Sequence, residues 1–279
     1  MPVVAGSFYE GKADALLHRL ESCFMKGLGP GRLPQGGPGK SRSIKALVSP
    51  HAGYMYSGMA AAHSYLRLYE DGRPEHIVIF GPNHTGRGLD LSRLAICDDN
   101  WETPLGSIKY DRKIGQLIIE QDEYAMPDCI AHSSEHSIEV QLPFLQYVFG
   151  KDQSFVPVCI SDQSYEICES IGKTVANLAK DDDILVIASS DFTHFETADS
   201  ARKKDNQAME YLENMDPEGF LKFVTGHRLS ICGAGPIAAA TVFAIERGAT
   251  QFNLLKYTNS GDVTGDKGHV VAYVAAEIV

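Results

Sequence analysis

Three histidines occupy the same kind of place in this chain, each shortly after a run of apolar residues. Leu47-Val48-Ser49-Pro50 leads to His51, and Ile77-Val78-Ile79-Phe80-Gly81-Pro82-Asn83 leads to His84. Ile184 to Ala188, then Ser189-Ser190-Asp191-Phe192-Thr193, leads to His194. Neutral imidazole ligates iron, zinc and copper, and two rings delivered by adjacent strand ends can converge on one ion. His51 and His84 are therefore the first candidate metal pair; the competing role for each is a loop histidine that caps backbone groups. Asp191 and His194 add a carboxylate and an imidazole to the same edge. Asp191 can orient a ring or bind metal, and His194 can move a proton near neutral pH. A Ser/Asp turn in which Asp191 caps an amide is the plainer alternative.

Cys232 lies in Ser230-Ile231-Cys232-Gly233-Ala234-Gly235-Pro236, just before an expected helix. A helix N-terminus favours thiolate, the form that binds metal or attacks electrophiles. A small buried hydrophobe is the other role for such a residue. His136, in Glu135-His136-Ser137-Ile138-Glu139, is placed at the opening of a helix as a second acid/base or substrate contact, with Glu139 on the same face. The spacing does not match the H-E-x-x-H zinc signature.

The elements that must position these residues are read from apolar periodicity. Strands are expected at 44–48, 77–80, 91–97, 155–160, 184–188, 252–257 and 270–276. Helices are expected over 14–25, 57–69, 112–120, 137–149, 165–179, 200–213, 217–224 and 236–247, with a hairpin or arm at 101–108. Strands alternating with helices predict a single three-layer α/β/α domain over 1–279 with a mostly parallel central sheet. Residues 26–42, rich in glycine and proline, read as a flexible loop within it. In such a sheet the carboxyl ends of the strands form the site edge.

The 279 residues are 44% hydrophobic and 22% charged, ordinary values for a chain with a substantial core. With 25 Lys and Arg against 36 Asp and Glu, the net charge of −11 argues against a nucleic-acid partner, which needs a basic face. No apolar run approaches the roughly 20 residues that span a bilayer, so no membrane association is expected. The N-terminus lacks the basic-then-apolar build of a secretory signal. The six cysteines are scattered without a C-x-x-C pair, which predicts free thiols and a cytoplasmic, reduced protein.

Taken in order, Ala5-Gly6-Ser7-Phe8-Tyr9, Pro50-His51-Ala52-Gly53-Tyr54, Gly81-Pro82-Asn83-His84, Glu135-His136-Ser137-Ile138-Glu139, Ser189-Ser190-Asp191-Phe192-Thr193-His194 and Ile231-Cys232-Gly233 resemble the MEMO family. The resemblance spans nearly the whole chain. It implies a fold like that of the class III extradiol dioxygenases, non-haem iron enzymes that open catechol rings. It also implies His51, His84 and Cys232 as metal ligands, with Asp191, His194 and His136 facing the cleft and His194 at the place of the dioxygenases' acid/base histidine. A cysteine stands where those enzymes carry a glutamate, and its softer thiolate shifts preference toward copper or zinc while leaving iron(II) possible. Ring cleavage therefore does not follow from the fold. The leading expectation is a divalent-metal redox protein, iron or copper first and zinc as the alternative, acting on a small molecule or on oxygen species. A peptide- or ligand-binding module using the same cleft, or a zinc-dependent hydrolase, are the competing expectations.

Overall fold

The computed structural model describes residues 2–279. Helix α1 (Ala13–Met25) precedes strand β1 (Ala46–Ser49), helix α2 (Tyr54–Asp71) and strand β2 (His76–Pro82). Strands β3 (Leu94–Ile96), β4 (Trp101–Thr103) and β5 (Gly106–Tyr110) lead to α3 (Arg112–Gln121) and β6 (Ala125–Pro127). A 3-10 turn at Glu139–Gln141 runs into α4 (Leu142–Phe149), followed by β7 (Ser154–Ile160), α5 (Tyr165–Leu178), β8 (Ile184–Ser189) and β9 (Asp191–Glu196). Helices α6 (Ala198–Glu213), α7 (Pro217–Gly226) and α8 (Ala234–Glu246), strand β10 (Phe252–Asn259), the short α9 (Gly261–Thr264) and strand β11 (Val270–Ile278) follow.

The centre of the sheet runs β1-β8-β2-β7, and every pairing there is parallel, with Val48 opposite Ala188, Ile79 opposite Ile187 and Phe80 opposite Val158. Antiparallel pairing enters at the flanks, where β11 pairs in that sense with β1, β9 and β10, and β3 with β7, while the edge strand β6 pairs with β3 in parallel. The sheet is therefore mixed, and the expectation of a mostly parallel one is corrected. Parallel pairing needs a crossover long enough to return the chain, usually a helix. The stretches joining β2 to β3 and β10 to β11 contain no such helix, and the chain turns back on itself instead.

Both faces of the central strands are buried, which is why β2, β7 and β8 read as continuous apolar runs. Alternate residues divide between two cores. Leu47, Ile77, Ile79, Leu185 and Ile187 pack on one side with Leu20 of α1, Tyr65 of α2 and Phe144 of α4. Val48, Val78, Phe80, Val186 and Ala188 pack on the other with Val175 of α5 and Ile237 and Phe243 of α8. Each Val, Leu, Ile or Phe among them contributes about 1.5–3 kcal/mol by leaving water. Helices thus cover both faces, which is the expected layering.

Several local expectations change. The glycine-rich loop lacks helix and strand but is tied along α2: His63 Nε2 donates to Leu28 O at 2.9 Å, Arg32 pairs with Glu70 at 2.6 Å and the Gly39 amide donates to Tyr69 O at 2.9 Å. The helix expected over 137–149 begins as the 3-10 turn, with Pro143 at the start of α4, so His136 lies in a turn ahead of it. His194 sits on β9, a strand not foreseen, which pairs with β11 through two register shifts. The expectation of six free thiols is corrected as well, because Cys97 and Cys129 form a disulfide. Strands β3 and β6 lie side by side with Ile96 opposite Pro127, so the residues that follow them meet in space although 32 positions separate the cysteines. Among the described residues no helix is long and apolar enough to cross a membrane.

Candidate metal centre

His51 follows β1 directly after Pro50 and is 2% exposed. The hydroxyl proton of Ser189 goes to Ser137 O at 2.6 Å, so Ser189 Oγ accepts from His51 Nδ1 at 2.9 Å. That bond places the ring proton on Nδ1 and leaves Nε2 with a lone pair, which faces the Cys232 sulfur. His84, two residues past β2, is fixed by the same logic. Its Nδ1 donates to Glu135 Oε1 at 2.9 Å and its amide to Glu135 Oε2 at 2.6 Å. His194 donates from Nδ1 to Ser230 O at 2.8 Å, again leaving Nε2 as the basic atom. Carboxylate, hydroxyl or carbonyl behind one nitrogen and an open lone pair on the other is the usual dress of a metal-binding or proton-moving imidazole.

His136 joins this group, stacked on His84 with ring centroids 4.6 Å apart and packed against a tilted Phe8 ring at 4.5 Å. Ligand nitrogens of His51, His84 and His136 all lie within 4.8 Å of one another. Cys232 approaches from the segment before α8 and places its Sγ 3.1 Å from His51 Nε2. It is outside the three-histidine grouping, so the expected ligands His51, His84 and Cys232 stand beside a second set in which His136 takes the third place. Metal–sulfur and metal–nitrogen bonds of about 2.3 and 2.0 Å put neighbouring ligands on the order of 3–3.5 Å apart. The 3.1 Å between sulfur and nitrogen fits that spacing, so the donor set suits a divalent ion.

Electrostatics favour neutral rings at His51, His136 and His194. Burial holds His51 well below the ordinary histidine range, reinforced by His136, His84 and His194 around it. Burial also lowers His194 and brings His136 down to about 4, with Glu135 opposing and His84 adding to the shift at His136. For Glu135, burial resists ionisation, but hydrogen bonds from the His84 ring, the Ser137 amide and the His84 amide prevail and hold its pKa at about 2. Asp191 moves the other way: burial raises it to about 7 although the His51 and Ala52 amides partly oppose the shift. Its Oδ1 accepts the His51 amide at 2.8 Å, so the turn role and the site role are combined in one residue.

The thiol of Cys232 is raised above its ordinary value by burial and by Asp191, the reverse of the expected helix effect. The helix amides have other partners: Gly233 N–H donates to Ser190 Oγ at 3.0 Å and Gly235 N–H to Gln163 Oε1 at 2.6 Å. Without a cation Cys232 is a thiol that donates to His51 Nε2, and the Asp191 amide in turn donates to its sulfur at 3.3 Å.

Two glycines permit the approach of these segments. A Cβ on Gly81 would stand 2.7 Å from Ile138 Cγ1 and Ser137 Oγ, and one on Gly233 would stand 2.5 Å from Ser189 O. Other contributors were not visible as such in the sequence. Glu135 anchors His84, Ser189 fixes the His51 tautomer, and Gln141 Nε2 donates to Ser189 Oγ at 2.8 Å and Pro50 O at 3.0 Å. Glu139 does not share a face with His136. It accepts the Val3 amide at 2.7 Å, the Val4 amide at 3.0 Å and the Tyr9 hydroxyl at 2.6 Å, holding the segment that sets Phe8 against His136. A buried glutamate among polar neighbours was the available signal, but its partners come from distant parts of the chain.

Fold and site together define an α/β protein with a metal-competent cluster of histidines and a cysteine at the carboxyl ends of its parallel strands. The chain belongs to the Memo family, described as Memo-like protein, whose profile matches residues 1–277. It is similar to the MEMO1 family protein MK0963 of Methanopyrus kandleri, 43% identical over 276 residues that cover 98% of this chain and 96% of the relative. A MEMO1 family protein of Thermotoga petrophila is 40% identical over 277 residues, covering 99% of this chain and 98% of the relative. Among solved structures, the crystal structure of uncharacterized protein JW3007 from Escherichia coli K12 matches with a TM-score of 0.58 at 13% identity, over 85% of this chain and 100% of that one. At that identity the likeness concerns the fold alone.

Proposed function

We propose that this chain is a metal-dependent redox protein, akin in fold to the class III extradiol dioxygenases, that acts on a small molecule or on oxygen species in the cytoplasm. His51, His84 and Cys232 would hold iron or copper, with zinc as the alternative ion. The observation that carries this reading is the pair of imidazoles whose Nδ1 atoms are engaged by Ser189 and Glu135, leaving a lone pair on each Nε2, that of His51 3.1 Å from the Cys232 sulfur. When bound, the ion would supply Lewis acidity and one-electron chemistry at open coordination positions.

The protein's own part is to hold and move protons. Cys232 ligates only as thiolate, so uptake of the ion releases its proton. The Asp191 amide orients the sulfur, and the Asp191 carboxylate fixes the His51 backbone. His194, with its Nδ1 committed to Ser230 O, presents Nε2 to accept or return a substrate proton. His136 would face the ligand from above His84, with Phe8 screening it from water.

The three-histidine grouping favours a second reading, a zinc site of nitrogen ligands with a water as nucleophile for hydrolysis. The test is oxygen uptake with catechols and with small reductants after anaerobic loading with iron(II) or copper. We expect uptake that requires the ion and falls about 10²-fold or more in His194→Gln, the range of a lost general acid/base. No uptake with either ion, together with ester hydrolysis by the zinc-loaded protein, would put the second reading first.

A further inference from the structure

A second group of soft and nitrogen donors lies outside this cluster, where the ends of β3 and β6 run together. Cys97 follows β3, and Asp99 stands two residues on. Cys129 follows β6 and begins a turn that ends at His132, whose amide donates to Cys129 O at 3.3 Å. Asp128 shapes that turn by accepting the amides of Leu89 at 2.7 Å and Ile130 at 2.8 Å. Both sulfurs and an Asp99 carboxylate oxygen lie within 4.8 Å of one another, with Cys129 Sγ 3.8 Å from Asp99 Oδ2. Cys97, Cys129, Asp99, Trp101 and His132 line a cavity of about 220 Å³.

His132 supplies the second, independent observation. It is 5% exposed and its Nε2 lies 3.0 Å from Ala95 O, so Nε2 carries the proton and Nδ1 carries a lone pair. That Nδ1 is buried with no hydrogen-bond partner among the described residues. A disulfide that served only to staple two strands would not require a buried imidazole with an open lone pair, and leaving one unpaired is unfavourable. A cation at the sulfurs would give it a use.

We infer that Cys97, Cys129 and Asp99, with His132 on the wall of the same cavity, form a redox-gated site for a zinc-class divalent cation, closed as the disulfide and open as the dithiol. Two sulfurs and one carboxylate oxygen supply three donors, and the His132 ring, outside that grouping but on the same cavity, is the fourth donor that completes a zinc set once the disulfide opens. In the opening step a dithiol reductant gives up two electrons and two protons; the Cys97–Cys129 bond breaks, two thiols form, and the reductant leaves as its own disulfide. Cation capture then releases those two protons as both sulfurs ligate as thiolates. Reoxidation by a disulfide or another two-electron thiol oxidant would expel the ion. The inference is independent of the centre at His51.

The test is a cobalt(II) titration of the full chain under anaerobic conditions, in its disulfide form and after reduction with a phosphine. Cys232 is free in both forms, so the difference between them reports Cys97 and Cys129 alone. We expect an additional cobalt equivalent in the reduced form, with thiolate-to-cobalt charge-transfer absorption that zinc abolishes. Asp99→Ala, at an exposed position, and His132→Ala should each weaken that equivalent about tenfold or more, since outer-shell partners alone are worth about 10–100-fold. Equal stoichiometry in both redox forms, or an extra equivalent indifferent to both substitutions, would overturn the inference. If reduction unfolds the chain, recovery of the circular dichroism spectrum on adding zinc supports the site and failure to recover it counts against it.

Discussion

Replacing Glu135 by glutamine removes one negative charge from a position that is 1% exposed and organises two of the histidines. The carboxylate accepts the His84 amide at 2.6 Å on one oxygen, and the His84 ring, the His136 amide and the Ser137 amide at 2.9, 3.0 and 2.9 Å on the other. Glutamine keeps one oxygen, so in either orientation its NH₂ faces at least one of those donors. Losing one charge-assisted bond, worth about 1.5–3 kcal/mol, and weakening the rest gives a loss of about 3 kcal/mol. The titration of Glu135 leads to the same figure. Its pKa falls from 4.5 to about 2 on folding, which by linkage is on the order of 3 kcal/mol. The sign follows from a depressed acid: this stability is present above pH 4.5 and is lost as pH falls toward 2. Urea unfolding of wild type and Glu135→Gln should therefore differ by about 3 kcal/mol at pH 7 and converge in acid, because the variant lacks that slope. Metal affinity should fall about 10–100-fold as the His84 ring loses its fixed tautomer. A variant within about 0.5 kcal/mol of wild type at pH 7, or one that keeps the acid slope, would refute the reasoning.

Other expectations follow from the same packing. Asp205 is fully buried, accepts from Thr193 Oγ1 at 2.6 Å and Tyr257 OH at 2.7 Å, and is raised from 3.8 to about 6 by burial. A raised acid binds its proton more tightly in the folded state, so stability should fall by about 3 kcal/mol as pH rises from 3.8 to about 6. Asp205→Asn should remove that portion of the profile, and an unchanged profile of urea midpoints would contradict the assignment. Gly81→Ala drives a Cβ into Ile138 and Ser137, so thermal unfolding should show a loss of about 1–3 kcal/mol. Its metal affinity should also drop, and a neutral result in both assays would mean that the β2 end and the 137–138 turn are not tightly apposed.

Much of the architecture was legible because long apolar runs and helical periodicity are local signals. The helix over 14–25 and the strands at 155–160 and 184–188 agree with α1, β7 and β8 to within a residue or two. Strand sense at the flanks was not legible, since it depends on whether a helix intervenes and on which edge the chain joins. His51 and His84 could be paired from their matching positions after strands, but the lone pair each presents is set by Ser189 and Glu135, 138 and 51 residues away in sequence. The reversed shift at Cys232 has the same origin. Proximity to a helix start is readable, whereas burial and the diversion of the helix amides to Ser190 and Gln163 are properties of the folded chain. The Cys97–Cys129 bond arises from the β3–β6 pairing and has no local signature.

The measurement that bears most directly on the metal centre is ion content and affinity of the anaerobically purified protein in its disulfide form, compared with His51→Ala, Cys232→Ser and His136→Ala. The account predicts near-stoichiometric iron or copper in wild type, with sulfur-to-metal charge transfer in the copper form. Binding should be lost in His51→Ala and Cys232→Ser, retained in His136→Ala, and accompanied by a wild-type circular dichroism spectrum throughout. Equal ion binding by His51→Ala and wild type, or no binding after loading with iron, copper or zinc, would contradict it.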